Sequence, residues 1–171
     1  MNDILKPILI VQLEAALCML AECIEKCTPA HWDQPIAKYP FWMVAYHTLC
    51  CTDVYLSPNE QLWQPRQDSL SPGGGLHPRG KQEIEEEFPS RRFEQAELIE
   101  YAAICRALIR QAIEAETPES LQGPCGFSWL SFSRVEVHIY NARHIQHHAG
   151  QLGASLRRVG VQTSWVKSGW R

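Results

Sequence analysis

No C-x-x-C pair occurs anywhere in the 171 residues, so a thioredoxin-like redox motif and the common zinc-ribbon ligand pattern are both absent. Positive charge is not in excess either: 16 Lys and Arg stand against 19 Asp and Glu, a formal net charge of −3. The broad basic surface that nucleic-acid binding demands is therefore missing, and no nucleic-acid partner is expected. No apolar run reaches the roughly 18 to 20 residues of a bilayer span, and Met1-Asn2-Asp3 does not lead into a charged-then-apolar secretory signal. The expectation is a cytoplasmic protein with no membrane partner. There is no internal repeat, and the only stretch with alternating character is Phe127 to Phe132, so a β-rich fold has little to build on. Cysteine is present seven times, an odd number, mostly inside apolar helical patterns; reduced, buried thiols are the expected state.

What the sequence does have is four long helical patterns. The spacing of Leu9, Leu13, Leu17, Leu20 and Ile24 predicts a first helix over 3–26, which also includes Ile4, Leu5 and Ile8, stopped by Thr28-Pro29. Phe41, Trp42, Ala45, Leu49 and Tyr55 reopen helical spacing up to Ser57-Pro58, and this second helix contains His47. Five prolines, the run Gly73-Gly74-Gly75 and Glu85-Glu86-Glu87 make residues 58–90 a long crossover loop, of a length that is often functional. His77 and Arg79 in it are candidates for a lid, against the plainer reading of a solvated loop. A third helix is read over 91–115 from Phe93, Ala96, Ile99, Ala103, Leu108, Ala112 and Ile113, ended by Thr117-Pro118. Ser133-Arg134-Val135-Glu136 matches a capping box that opens a fourth helix running to Val159 before Gly160. Together these imply an all-α chain: one domain over 1–171, an antiparallel four-helix bundle with a long crossover between helices two and three.

Histidine is where the chemistry announces itself. Four of the seven (His138, His144, His147 and His148) fall within eleven residues. At about 100° per residue, His144 and His148 stand about 40° apart at the edge of an apolar arc made by Ile145, Ala149, Leu152, Leu156 and Val159. Gln151 and Ser155 lie beside them, and His147 is the outer, more solvated one. Two imidazoles at i and i+4 can converge on a single metal ion, and a third ligand must then come from another helix. His47, inside the apolar second helix, is the candidate. Three histidines leave a coordination position for water or a substrate atom, which suits a catalytic site better than a closed structural one. The bland reading is a surface His pair plus a hydrogen-bonded core histidine.

Neighbouring classes are excluded by what is missing. Ile145 stands where an H-E-x-x-H zinc protease needs its general-base Glu, and no Glu precedes any histidine by three residues, which removes the ferritin-like di-iron pattern. A mononuclear all-histidine site remains, one that suits zinc, nickel, copper and iron alike. Cys50 and Cys51, three and four residues after His47, read better as buried thiols than as ligands. Tyr46, Asn141 and Gln151 are candidates to hydrogen-bond the ligands or a substrate, yet each is equally at home as an ordinary helix side chain, and Trp165 and Trp170 read as packing or dimer contacts.

These residues resemble the DinB-like (DinB/YfiT) superfamily of four-helix-bundle metalloenzymes. The resemblance is carried by Trp42-Met43-Val44-Ala45-Tyr46-His47 and by His144-Ile145-Gln146-His147-His148-Ala149-Gly150-Gln151-Leu152, continued by Leu156-Arg157-Arg158-Val159-Gly160. The longer string looks like the family signature H-x-x-x-H-x-G-Q-[LI], and the helix order agrees over essentially the whole chain. The resemblance implies that His47, His144 and His148 bind the metal, with Zn²⁺ or Ni²⁺ favoured, and that the chain is a homodimer. It also implies S-transferase or isomerase chemistry with a low-molecular-weight thiol. The expected function is thus a metal-dependent, thiol-using transferase or a hydrolase acting on a small-molecule substrate. The rival is a non-catalytic bundle whose metal site is structural or sensory and which acts through a partner; a bundle without metal is a third reading.

Overall fold

The computed structural model describes residues 2–63 and 92–171. Helix α1 (Asn2–Lys26) is followed by the single turn α2 (Pro29–Trp32) and a two-stranded hairpin, β1 (Pro35–Ile36) and β2 (Tyr39–Pro40), which turns through Ala37 at φ 58°. Then come α3 (Phe41–Leu56), α4 (Gln95–Ala115), the short α5 (Pro118–Gln122) and α6 (Arg134–Arg158). The four long helices are the predicted ones, with ends shifted by a few residues. The largest shift is in α4, which starts at Gln95 because Glu94 is its N-cap: Glu97 accepts the Glu94 backbone N–H at 2.8 Å. Ahead of it, Phe93 is a buried plug instead of a helical residue, its ring stacked 4.7 Å from that of Tyr46.

The bundle is not simply antiparallel. Gln95 at the start of α4 donates to the carbonyls of Ile24 and Cys27 at the end of α1, and Trp32, just past that same end, donates to Phe93. Arg134 at the start of α6 donates to the carbonyls of Tyr55, Leu56 and Ser57 at the end of α3. Hence α1 opposes α4 and α3 opposes α6, as expected. By contrast α1 runs parallel to α6, with Met19 beside Gln146 and Cys23 beside Ala149, and α3 runs parallel to α4. The end of α3 and the start of α4 therefore lie at opposite ends of the bundle, which no short turn can join. The predicted crossover has that reason. Its lid candidates, His77 and Arg79, lie outside the described residues.

The core is filled from all four helices: Leu13, Leu17 and Leu20 of α1, Phe41 and Leu49 of α3, Ile109 and Ile113 of α4, Ile145 and Leu152 of α6 are each at most 1 % exposed. Two predicted stripes need correction. In α4 the buried face is Leu98, Tyr101, Cys105, Ile109 and Ile113, whereas Ile99 and Ala103 are exposed. In α1 the apolar side outruns the core, leaving Ile4 and Ile8 exposed. Val159 is exposed as well, because it is the C-cap of α6, with Gly160 at φ 82° ending the helix as expected. By length and mean hydropathy Ile4–Lys26 would pass as a bilayer span, although charged residues break its apolar run. More than half of it is buried in the bundle, and its Glu14 accepts a hydrogen bond from Arg110 of α4 at 3.0 Å.

Phe127 to Phe132 is not a strand. The α5–α6 connection makes one isolated bridge, Pro124 to Ser133, and is pinned to the end of α3 through Gly126. Gly126 sits at φ 88°, and a Cβ there would come within 2.4 Å of the Pro58 carbonyl, so only glycine fits. Glu136 accepts from both the backbone N–H and the hydroxyl of Ser133 at 2.8 Å, fixing the start of the histidine-bearing helix. All seven cysteines are free and six are buried, as read from the sequence.

Candidate metal centre

Helices α3 and α6 pack antiparallel, and the half-buried edge of that contact brings His47, His144 and His148 together. One ring nitrogen of each lies within 4.8 Å of the other two. His47 Nε2 and His144 Nε2 face each other at 3.2 Å, and the His144 and His148 rings are 4.6 Å apart, nearly perpendicular. Two nitrogens bound about 2.0–2.1 Å from one tetrahedral ion stand about 3.3 Å apart, so the facing pair already has ligand spacing.

Burial keeps these imidazoles neutral. Burial first, and then the neighbouring His148, pushes His47 down to about 4; burial followed by the surrounding histidines takes His144 down to about 3. His148 is lowered too by burial, against the pull of its hydrogen bond to Gln151. No carboxylate joins the cluster among the described residues, so the rings present lone pairs with no anionic partner. That donor set suits a cation of borderline softness.

Each ring is held differently. Gln151 Oε1 accepts from His148 Nδ1 at 2.8 Å, which fixes the tautomer and leaves Nε2 as the ligand atom. Cys51 Sγ lies 3.7 Å from His47 Nδ1 and 3.9 Å from its Nε2. His144 Nδ1 is buried with no hydrogen-bond partner among the described residues; that ring is positioned by packing, with Tyr140 stacked at 6.3 Å and Tyr55 edge-on at 6.5 Å. The residues present therefore fit a divalent ion.

A family model provides the decision: that of the DinB superfamily matches residues 12–152. The chain belongs to the DinB superfamily. No curated protein and no solved structure matches it.

Within this DinB-superfamily bundle the three predicted histidines converge, and His147 points outward, exposed, as its helical angle required. Of the side chains with two readings, Gln151 hydrogen-bonds His148, and Tyr46 belongs to the core, fully buried against Phe93. Asn141 ties α6 to α3 by donating to the Thr52 carbonyl at 3.3 Å. Cys50 and Cys51 are buried and burial raises both thiols, Cys51 to about 12, but only Cys51 touches His47. Trp170 packs under Arg106 at 4.6 Å, while Trp165 is exposed. Sequence reasoning missed a second polar cluster altogether. Glu116, just past α4, accepts from Arg134 at 2.7 Å and pairs with His138 at 3.0 Å, all three buried or nearly so. The i, i+4 spacing of Arg134 and His138 was its one visible signal.

Proposed function

We propose that the chain is a metal-dependent enzyme in which His47, His144 and His148 hold a divalent transition ion, Zn²⁺ or Ni²⁺, beside a position for a thiol or water. The observation that supports it is the convergence of three neutral ring nitrogens with no fourth histidine, cysteine or carboxylate in the same cluster among the described residues. A divalent ion bound there supplies Lewis acidity, bringing a coordinated thiol or water to its nucleophilic form near neutral pH. The chain's own part is positional. Gln151 orients His148, and Tyr55 and Tyr140 wall His144 from solvent, which strengthens the local electrostatics. The reaction class is S-transfer from a low-molecular-weight thiol to a small-molecule acceptor, or hydrolysis. A homodimer is part of the same reading: Ile4 and Ile8 of α1 and Ile139 of the adjacent α6 are apolar surface that a second copy would cover.

One observation favours the non-catalytic alternative, a closed structural or sensory site: Cys51 Sγ is 3.9 Å from His47 Nε2 and within a small movement of becoming a fourth donor. Cobalt(II)-reconstituted protein separates the two. For the enzyme, adding 2-mercaptoethanol raises a new sulfur-to-cobalt absorption, equally in wild type and in Cys51→Ser. If that absorption is present before any thiol is added and vanishes in Cys51→Ser, the site is closed by the chain itself and the proposal fails.

A further inference from the structure

On the side of His144 away from His148, the edge between α3 and α6 continues into a cluster of aromatic rings. Tyr140 stacks on His144 at 6.3 Å and meets Tyr55 at 5.4 Å and Phe132 at 5.7 Å. Tyr55 packs edge-on against Phe127 at 5.5 Å, and Phe127 meets Trp129 at 5.2 Å. The Trp129 indole and the Tyr140 hydroxyl both hydrogen-bond the Tyr55 hydroxyl. Rings from α3, α6 and the α5–α6 connection thus form one wall that begins at a ligand of the metal centre.

Only part of this wall is core. Tyr55 and Phe127 are buried, whereas Tyr140 and Phe132 are half-buried and Trp129 is 43 % exposed. The exposed ring stands on a pinned segment: Leu130 donates to the Phe127 carbonyl at 3.0 Å and Cys125 to that of Phe132 at 3.1 Å. Glu60 accepts from the Ser128 N–H and hydroxyl at 3.2 and 2.9 Å. A ligand that covers Trp129 therefore finds it already ordered, which lowers the entropic cost of binding. No Asp, Glu, Lys or Arg belongs to the ring cluster, and the Trp129 N–H is already engaged. Recognition there rests on ring faces and edges, which favour another aromatic ring over an aliphatic group of equal area.

We infer that the small molecule acted on at the metal centre carries an aromatic ring, bound against Trp129 and Tyr140. What that ring is brought to rests on the metal-centred function proposed above; ring binding itself needs no metal.

2-Naphthylmethanol and its decahydro analogue are similar in size and differ in aromaticity. With the protein as purified, and again after chelator treatment, ligand-observed NMR titration is expected to show the aromatic probe binding about three- to tenfold more tightly, although the saturated one is the more apolar. Trp129→Leu keeps an apolar side chain and is expected to abolish that preference. Trp165→Leu, at the exposed indole of the C-terminal tail, should leave it intact. Cobalt(II)-reconstituted protein then tests whether the ring lies beside the metal. 2-Naphthylmethanethiol is expected to raise the sulfur-to-cobalt absorption at about tenfold lower concentration than its decahydro analogue, an advantage lost in Trp129→Leu. Equal binding of the two alcohols, a preference that survives in folded Trp129→Leu, or equal potency of the two thiols would each overturn the inference. If no thiol raises the absorption, 2-mercaptoethanol included, while naphthylmethanol keeps its preference, the metal-centred function fails and the ring site stands.

Discussion

Two histidine-bearing clusters sit on α6 about two turns apart, and they are built in opposite ways. Around His138, the Glu116 carboxylate is shared by the Arg134 guanidinium, the His138 ring and the Ser120 hydroxyl, and the remaining Arg134 donors go to the carbonyls that end α3. Charge meets counter-charge there. Burial alone would raise Glu116, but hydrogen bonds from His138, Ser120 and Arg134 outweigh it and hold the carboxyl at about 2. Around His144, three rings of the same kind face one another with no anion among them. The first cluster is balanced in charge, although His138 Nδ1 is buried with no hydrogen-bond partner among the described residues, and it serves as a clasp joining α3, α4 and α6 at one end of the bundle. The second has unmet demand for a cation, and function is to be sought where polar demand is left open.

The sharpest way to separate them is to damage the clasp. Arg134→Met is expected to cost about 3–5 kcal/mol of stability, because it strands the buried Glu116 carboxylate without its cation. Denaturant unfolding measures this, and metal stoichiometry in the folded fraction should not change. An equal loss of bound metal would mean that the clusters are one coupled unit.

Damage to the open cluster should show the converse. Gln151→Ala removes the acceptor that orients His148, and metal affinity is expected to fall about 10–100-fold by competition with a chromophoric chelator. Thermal stability of the metal-free protein should stay within about 0.5 kcal/mol, as for other surface changes. Unchanged affinity would leave Gln151 an ordinary helix side chain.

Acid provides a gentler comparison. His47 and His144 have folded values depressed from 6.5 to about 4 and about 3, so the unfolded chain binds protons more readily than the folded one. The stability of the metal-free protein is therefore full above about 6.5 and declines as pH falls through 4 toward 3. Glu116, lowered from 4.5 to about 2, adds its own loss between those values. His144→Ala/His148→Ala should flatten the upper part of the profile and Glu116→Gln the lower part. Identical profiles for all three proteins would show that neither cluster governs acid unfolding.

The fold was legible because apolar spacing marks long helices, and α1, α3 and α6 begin and end near Thr28-Pro29, Ser57-Pro58, Ser133 and Gly160, where the stop and cap residues say they should. Helix direction was not legible. Local spacing does not say that α3 and α4 run parallel; that follows from where Phe93, Gln95 and Arg134 dock, which are contacts across the chain. The α4 stripe was mistaken because Tyr101 and Cys105 are buried there while alanines such as Ala103 fit either face. The metal centre was legible through the i, i+4 pair and a histidine in an apolar helix. Of its supports Gln151 was legible beside the pair and Tyr140 stands four residues before His144 on the same helix, whereas Tyr55 reaches His144 from α3 by packing, which local spacing does not show; nor does it show the separate pairing of Glu116 with His138 across 22 residues of sequence.

Elemental analysis tests the central claim most directly, on protein purified without an affinity tag or added metal, with His144→Ala/His148→Ala alongside. About one zinc or nickel per chain is expected in the wild type and less than about a tenth in the folded variant, the site lacking two of three ligands. Folded wild type without stoichiometric metal, or the variant retaining it, would contradict the assignment of His47, His144 and His148.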